Sequence, residues 1–217
     1  MSSIVEQIAS SISGKSRTRK WLQFLEWAKT TPATTILDIG VNTIEYSEND
    51  NLLERLYSYP ANITAVGLET DWDEFRTRYP EVKTQTADGT HLPFSDNSFD
   101  IAYSNAVIEH VGNREKQLAF LKEMYRVGKH GYCTTPNRFF PIEVHTRIPL
   151  LHILLPKSLF DRVATLLGKS WATGDYMHLL SERELRVLLE QAGITEYALI
   201  KNRFFGFPMT LTAHWTK

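Results

Sequence analysis

Asp38, Glu69 and Asp88 each lie at or just after the end of a short strand-like run, at 34–39, 63–68 and 82–86, the first two of them apolar and β-branched. Ser104-Asn105 and the stretch from Thr135 to Arg138 follow two further runs of the same kind. In an open parallel sheet, ligands bind beyond the carboxyl ends of the strands, so these five loops are where chemistry is expected. An acid after the second strand suits a ribose, because its two oxygens can accept from two neighbouring hydroxyls. Asp88 could accept from an exocyclic amine while the backbone N–H beside it serves a ring nitrogen. Together these groups describe a nucleoside. The first loop narrows the choice. It offers Gly40 followed by Val41-Asn42-Thr43, whereas a dinucleotide fold needs G-x-G-x-x-G so that backbone can approach a pyrophosphate. The phosphate loop G-x-x-x-x-G-K is missing too, which argues against a polyphosphate cofactor and against a nicotinamide oxidoreductase.

Such loops need a doubly wound parallel sheet behind them. Strands are predicted at 34–39, 63–68, 82–86, 99–104 and 131–135, alternating with helices at 52–56, 71–78 and 113–127. The spacing is that of βαβ units, and the strands are continuously apolar, as expected when both faces are covered. Trp21, Phe24, Leu25 and Ala28 recur at helical spacing, predicting a first helix with one face on a core, stopped by Pro32. Thr70 or Asp71 is the expected cap of the 71–78 helix, and Gly128 stands where a helix-ending glycine belongs. The alternation breaks between Asn137 and Leu180, where Pro141, Pro149 and Pro156 precede an amphipathic run at 159–167. Structureless loops beyond about 15 residues are uncommon in compact domains, so this stretch reads as an inserted cap. Ser181-Glu182-Arg183-Glu184 is a capping box, opening a helix through Leu185, Leu188 and Leu189 to Gly193. Two last strands, near 195–201 and 208–215, flank Gly206, and a tight connection there makes them an antiparallel pair at the sheet edge. One domain over 1–217 is expected, with a helical segment at 1–31 and the cap at about 137–180.

The chain of 217 residues is 42% hydrophobic and 23% charged, a balance that supports one sizeable core and excludes disorder as the main state. A formal net charge of −1 argues against a dedicated nucleic-acid binder, which carries a basic face. The one basic cluster, Lys15, Arg17, Arg19 and Lys20, reads as the solvated start of a helix rather than a phosphate site. Cys133 is the single cysteine, so neither an internal disulfide nor a cysteine-based zinc site is expected, and its apolar neighbours assign it to packing. No apolar run reaches the roughly 18–20 residues needed to span a bilayer, and residues 1–13 lack a basic-then-apolar leader pattern. A cytoplasmic setting is therefore expected.

Ile36-Leu37-Asp38-Ile39-Gly40 and Glu69 are one part of a larger pattern. Its most specific part is Asp88-Gly89-Thr90-His91-Leu92-Pro93-Phe94-Ser95-Asp96-Asn97-Ser98-Phe99-Asp100, followed by Ser104-Asn105-Ala106-Val107-Ile108-Glu109-His110-Val111. The whole resembles the class I S-adenosylmethionine-dependent methyltransferases, closest to the type 11-like small-molecule subgroup with its LPF…D-x-S-F-D…EH signature. The resemblance spans about 36–137, and the capping box and final strand pair fit the same layout. That layout is a Rossmann-like, doubly wound, seven-stranded and mainly parallel sheet with an antiparallel last strand. S-adenosylmethionine is the cofactor it implies, with no metal. By that resemblance Glu69 would hold the ribose hydroxyls, and Asp88 with the amide of Gly89 would hold adenine, Leu92 packing on its ring. Gly40 and the backbone from Asp38 to Val41 would approach the methionine part, with Asp38 ordering the loop and reaching the amino group through water. Ser104 and Asn105 would face the amino acid and sulfonium. Asn42 replaces the family's second loop glycine, and asparagine tolerates left-handed backbone better than most residues.

The implied reaction is an in-line displacement, in which the protein mainly supplies alignment and excludes water. An alcohol acceptor would want a base. His110 and His145 are the candidates, with a structural role at the helix entrance as the alternative for His110. Asn137 and Arg138 follow the fifth strand, where substrate normally lies in this family, and His145 and His178 lie within or beside the cap. These four are the candidate substrate contacts, against simple loop hydrogen bonding and cap stabilisation. Residues 148–156 with Leu159, Phe160, Val163, Leu166 and Leu167 could roof a hydrophobic acceptor or rest on a membrane surface, although ordinary packing of a lid on the sheet is favoured. The expected partner is a small-molecule, sugar or lipid-like methyl acceptor rather than a nucleic acid. The rival reading is a non-catalytic module on the same fold, binding S-adenosylmethionine or its demethylated product, or another protein.

Overall fold

The computed structural model describes residues 4–47, 50–143, 146, 148–170, 173–174 and 177–217, and for 4–13 and 15 the backbone alone. These residues place seven strands in one sheet: β1 (Ile36–Ile39), β2 (Ile63–Gly67), β3 (Lys83–Thr86), β4 (Phe99–Asn105), β5 (Gly128–Pro136), β6 (Tyr197–Phe204) and β7 (Phe207–Thr216). Their order is β3-β2-β1-β4-β5-β7-β6. β1 pairs in parallel with β2 and β4, β2 with β3 and β4 with β5, while β7 runs antiparallel to both β5 and β6. The strand order reverses at β1, so the crevice above the carboxyl ends of β1 and β4 is the switch point where such sheets bind ligands.

Alternation along each strand decides which helices it meets. Ile36, Ile63, Ala65, Ile101, Tyr103 and Tyr132 face one side. There they pack on Trp21 and Phe24 of α1 (Ile4–Ala28), Leu53 of α2 (Leu52–Leu56) and Phe75 of α3 (Asp73–Arg78). Leu37, Ile39, Val66, Ala102 and Cys133 face the other side. Their partners are Phe120, Leu121 and Met124 of α4 (Arg114–Val127) and Leu185, Leu188 and Leu189 of α7 (Glu182–Gln191). Both faces are covered, which is why the central strands read as unbroken apolar runs.

The helix ends follow local chemistry. Asn113 caps α4 by accepting from the Lys116 N–H, and both halves of the capping box at Ser181 and Glu184 form. Two expected ends differ. α3 opens at Asp73 with Trp72 in the cap position, and the Asp71 carboxylate accepts the Asp73 N–H at 3.0 Å from one residue further out. Gly128 is extended, with φ −97° and ψ 142°, and is the first residue of β5 rather than a left-handed terminator. Its lack of a side chain serves close approach, since a Cβ there would lie 2.8 Å from Ala102. The β6–β7 connection is as tight as expected: Phe205 (φ 45°) and Gly206 (φ 83°) form a two-residue turn with both residues left-handed.

Past β5, Asn137 bridges to Leu180 and the intervening chain forms α5 (Leu151–Leu154) and α6 (Lys157–Leu166). Ile148, Phe160 and Ala164 make a small core of their own, with Leu151 and Leu155 packed against it. His145 lies outside the described residues. Among the described residues no helix is long and apolar enough to cross a membrane.

Candidate functional site

The ends of β1, β2 and β4 and the loop after β3 enclose a cavity of about 690 Å³. Of the residues singled out in the sequence, Asp38, Gly40, Val41, Glu69, Asp88, Gly89, Asn105 and His110 line it. Glu69 and Asp88, from separate crossover units, thus face one space. The Glu69 carbonyl accepts from Thr86 Oγ1 at 2.7 Å, and Thr86 Oγ1 accepts from Trp72 Nε1 at 2.8 Å, which ties the end of β2 to β3. Its carboxylate folds over Gly67, where a Cβ would come within 2.8 Å of Oε2. Asp88 Oδ1 accepts from the Thr90 N–H and Oγ1, both at 2.8 Å, so a ligand would meet the other oxygen. Gly40 is left-handed at φ 93°, and a Cβ on it would come within 2.4 Å of Val107 across the wall. Asn42 needs no left-handed backbone. Its N–H donates to Asn51 Oδ1 (3.1 Å) and its carbonyl accepts from Asn51 Nδ2 (2.7 Å), and among the described residues of this loop Asn51, at φ 47°, is left-handed besides Gly40.

Several expected contacts lie elsewhere. Leu92 is 3% exposed, packed in the core beneath α4 with its N–H donating to Glu123 Oε2 at 2.7 Å. Ser104 is fully buried and donates to the Ile39 carbonyl at 3.0 Å, which spends its hydroxyl on joining β4 to β1. Neither lines the cavity. Asn137 donates to the Pro208 carbonyl at 2.9 Å and accepts from the Phe139 N–H at 3.3 Å, shaping the exit of β5. Arg138 and His178 do meet, but around a second cavity of about 290 Å³ with His152, between α4, α7 and the cap. The backbone bond from His178 N–H to the Glu109 carbonyl (2.7 Å) and Gln117 Nε2, bridging the Ile108 and His178 carbonyls, join the chain segments between the two.

Among the described residues no cap side chain reaches the wall of the larger cavity. Its cover comes from Arg17 on α1 and from Tyr46, Asp50 and Asn51 in the loop before α2. Arg17 Nη1 donates to Asp50 Oδ1 at 2.8 Å. Against the burial that would raise it, the Arg17 bond and the Tyr46 N–H hold the Asp50 carboxyl below its usual range.

The basic cluster at the start of the chain is therefore not simply solvated. Lys20 is 5% exposed and points its Nζ at Asn105 Oδ1 (2.6 Å) and Thr134 Oγ1 (3.4 Å). Burial, aided by Arg17 and opposed by Glu109, lowers its pKa to about 7. Thr134 Oγ1 also donates to Asn105 Oδ1, at 2.7 Å, so the amide oxygen is committed and its NH₂ is what Asn105 can offer a ligand. The sequence held a signal for this: Lys20 is four residues before the core residue Phe24, on the same helical face. The neighbouring Ala106 is left-handed at φ 60°, an unfavourable conformation for a residue with a Cβ, located on the cavity rim. Behind the wall, Glu109 is fully buried and accepts from Thr135 Oγ1 at 3.0 Å, with His110 Nε2 3.9 Å from its other oxygen. Among the described residues no group of three or more His, Cys, Asp or Glu is placed to hold a metal.

A sheet in this order, with an acid-lined cavity at its switch point, defines the class I methyltransferase architecture. Residues 37–133 match the family described as "Methyltransferase domain". Over 106 residues, 48% of its length, the chain is 32% identical to "Probable tRNA methyltransferase 9B" of Bos taurus, of which it spans only 21%. Among solved structures, it is similar to an S-adenosylmethionine-dependent methyltransferase of Methanosarcina mazei, with 19% identity and a TM-score of 0.57 over 88% of this chain and 94% of that one. It is also similar to magnesium protoporphyrin IX methyltransferase of Synechocystis PCC 6803, solved with bound SAH. There the identity is 13% and the TM-score 0.62, covering 99% of this chain and 87% of that one. At such identities the likeness is one of fold.

Proposed function

We propose that this chain transfers a methyl group from S-adenosylmethionine to a small-molecule, sugar or lipid-like acceptor. The observation that carries the reading is that Glu69 and Asp88, each ending a different crossover unit, line one cavity of about 690 Å³ with Asp38 and Gly40. That size lies within the roughly 300–1,000 Å³ of pockets that bury a ligand of this kind. The residues fit the methyl donor: a two-oxygen acceptor for ribose hydroxyls, an acceptor beside a backbone N–H for the base, and acid for an ammonium. When bound, the methyl donor supplies a carbon already activated by positively charged sulfur.

The protein's share is then placement. Glu69 accepts from the ribose, and the oxygen of Asp88 outside its Thr90 turn accepts from the base, beside the Gly89 N–H. The Asn105 amide, oriented by Lys20 and Thr134, donates at the β4 end. The Arg17–Asp50 ion pair helps keep water from the reacting groups. His110, on the same wall, is the side chain suited to take a proton from an alcohol or amine acceptor. The curated relative's name points to tRNA, but a formal net charge of −1 gives this chain little attraction for a polyanion.

Titration calorimetry with S-adenosylhomocysteine tests the reading. Loss of a hydrogen bond to a charged acceptor costs about 1.5–3 kcal/mol, so Glu69→Ala and Asp88→Ala should each weaken binding roughly 10- to 100-fold. Undiminished affinity in both variants would overturn the assignment. Consumption of methyl donor in the presence of an acceptor mixture separates an enzyme from a non-catalytic module.

A further inference from the structure

One rim of the molecule combines exposed apolar side chains with strained backbone. Phe205, 86% exposed, and Phe207, also exposed, flank Gly206 at the β6–β7 turn. A Cβ on Gly206 would meet nothing within 4 Å, so the turn projects into open space. Beside it runs the exit of β5. The Asn137 N–H donates to the Met209 carbonyl at 2.9 Å, and the Phe140 ring lies 6.5 Å from that of Phe204, itself 4.6 Å from Phe205. Phe139 and Ile142 of this segment are exposed. So are Leu150, whose N–H donates to the Pro141 carbonyl at 2.7 Å, and Leu154 one turn further along. Phe205 (φ 45°) and Leu150 (φ 59°) are both left-handed, a conformation that Asn or Gly would hold at lower cost. At two places, then, strained backbone holds a bulky apolar side chain out in water, which folding alone does not favour.

We propose that this rim seats on an anionic lipid bilayer, with Phe139, Ile142, Leu150, Leu154, Phe205 and Phe207 reaching the boundary between headgroups and acyl chains, and the arginines around them facing lipid phosphate. The proposal goes beyond the methyl-transfer reading and does not depend on it. The rim stands at the carboxyl end of β5, the end of the parallel strands at which the larger cavity lies. Arg19 Nη1 of α1 donates to the Arg203 carbonyl at 3.0 Å, two residues from Arg17 on the cavity wall. A bilayer on the rim would therefore lie on the cavity side of the sheet.

Charge selects a bilayer over a second copy of the chain. Residues 137–180 and 201–208 carry seven Lys or Arg against three Asp or Glu, in a chain whose formal net charge is −1. Of those acids Glu143 is buried and Asp161 is bonded to Lys157 at 2.9 Å. At the rim, Arg203 Nη1 donates to the Gly206 carbonyl at 2.7 Å, which fixes its charge at the turn. Among the described residues neither Arg19 nor Arg203 has a carboxylate partner, and Arg138, next to Phe139, has Glu184 no nearer than 3.6 Å. A two-fold dimer through this patch would set the same cations against one another, whereas anionic lipid complements them. The shape agrees. Leu151 and Leu155 of the α5 region pack on the cap's core while Leu150 and Leu154 turn outward, and a helix apolar on both sides belongs where both are covered. Projecting apolar tips with basic flanks are what an interfacial layer accepts.

The test is flotation of the whole chain with phosphatidylcholine vesicles, made with and without phosphatidylglycerol. The wild type should float with the anionic vesicles and bind the neutral ones roughly tenfold more weakly or less. Raising salt from about 0.1 M to about 1 M, where screening shortens to about 3 Å, should release it. Phe205→Ser with Phe207→Ser should weaken binding roughly tenfold or more, at an unchanged melting temperature. Arg19→Gln with Arg203→Gln should weaken binding to the anionic vesicles roughly 10- to 30-fold and leave the neutral ones unaffected. Leu56→Ser, an exposed apolar residue on α2 close to the start of β2 and so at the opposite end of the strands, should float as the wild type does. If the phenylalanine variant does not fold, the arginine variant and the salt series decide. Absence of flotation, equal binding to both vesicles, or an equal loss in Leu56→Ser overturns the proposal. So does a concentration-dependent dimer in sedimentation that Phe205→Ser with Phe207→Ser dissociates, since the rim would then belong to a second copy.

Discussion

Lys20 shows how one burial event changes a residue's chemistry. An amine with a pKa of about 7 in the folded chain and about 10.4 unfolded is protonated more fully in the unfolded state between those values. By linkage, its burial costs most below pH 7, and stability rises as pH climbs through that interval. Burial raises the Asp38 and Glu54 carboxyls, Glu54 to about 7, and these have the opposite slope: they stabilise the fold at low pH and lose that contribution as pH rises through about 7. Lys20→Met should remove the first slope and leave the second. The melting temperature of the wild type relative to Lys20→Met should therefore rise from about pH 6.5 to about pH 9, and parallel profiles would refute the buried-amine account. At this scale the acids were legible because they stand after strands, where position alone implies exposure to a crevice. Glu54 and Arg17 were not, because no local pattern says that a charged helix residue faces inward.

The loop elements explain more of the sequence signature than the ligand does. Arg126 on α4 donates to the Leu92 and Phe94 carbonyls at 3.0 and 2.6 Å and to Asp96 at 2.9 Å. Glu123 accepts the Leu92 N–H, so the segment from Leu92 to Asp96 is clamped to the helix. Asp100 accepts from the Thr35 N–H and Oγ1, joining the entrances of β4 and β1. Leu92, Phe94, Asp96 and Asp100 thus build the frame that carries Asp88 and Gly89 rather than touching a ligand. Arg126→Met should cost about 1–3 kcal/mol of stability and weaken S-adenosylhomocysteine binding only as far as the Asp88 loop loosens. A melt and a titration on the same sample would measure both; a large loss of affinity with no loss of stability would contradict the framing role. Gly40 is stricter. An alanine there meets both the left-handed strain and the Val107 collision, together about 2–4 kcal/mol, and should lower the melting temperature by roughly 5–15 °C. Gly40→Ala with Val107→Ala should recover the steric part alone.

Across the whole molecule, hydrophobic periodicity made the sheet legible, since crossover spacing and two-sided burial leave few topologies to choose from. The cap was legible only as a break in that rhythm. Its apolar residues left a roof over an acceptor as the less favoured alternative to ordinary packing, and Ile148, Phe160 and Ala164 bury one another while Leu154 and Leu166 stay exposed. The cover of the larger cavity is instead α1 and the loop before α2, whose Arg17–Asp50 contact joins residues 33 positions apart and is invisible to any local reading. This separation of parts has a measurable consequence. Phe160→Ala removes the largest buried side chain of the cap's own core, a truncation that costs about 3–5 kcal/mol where it is fully felt. Because the cap cluster is distinct from the two clusters on the sheet, the loss should appear as faster hydrogen exchange confined to the cap around α5 and α6. Affinity for S-adenosylhomocysteine should stay within about twofold of wild type, since none of the described cap residues lines that cavity. A tenfold loss of affinity would mean that the cap and the strand-end cavity act as one unit, and the acceptor would then have to be sought beneath it.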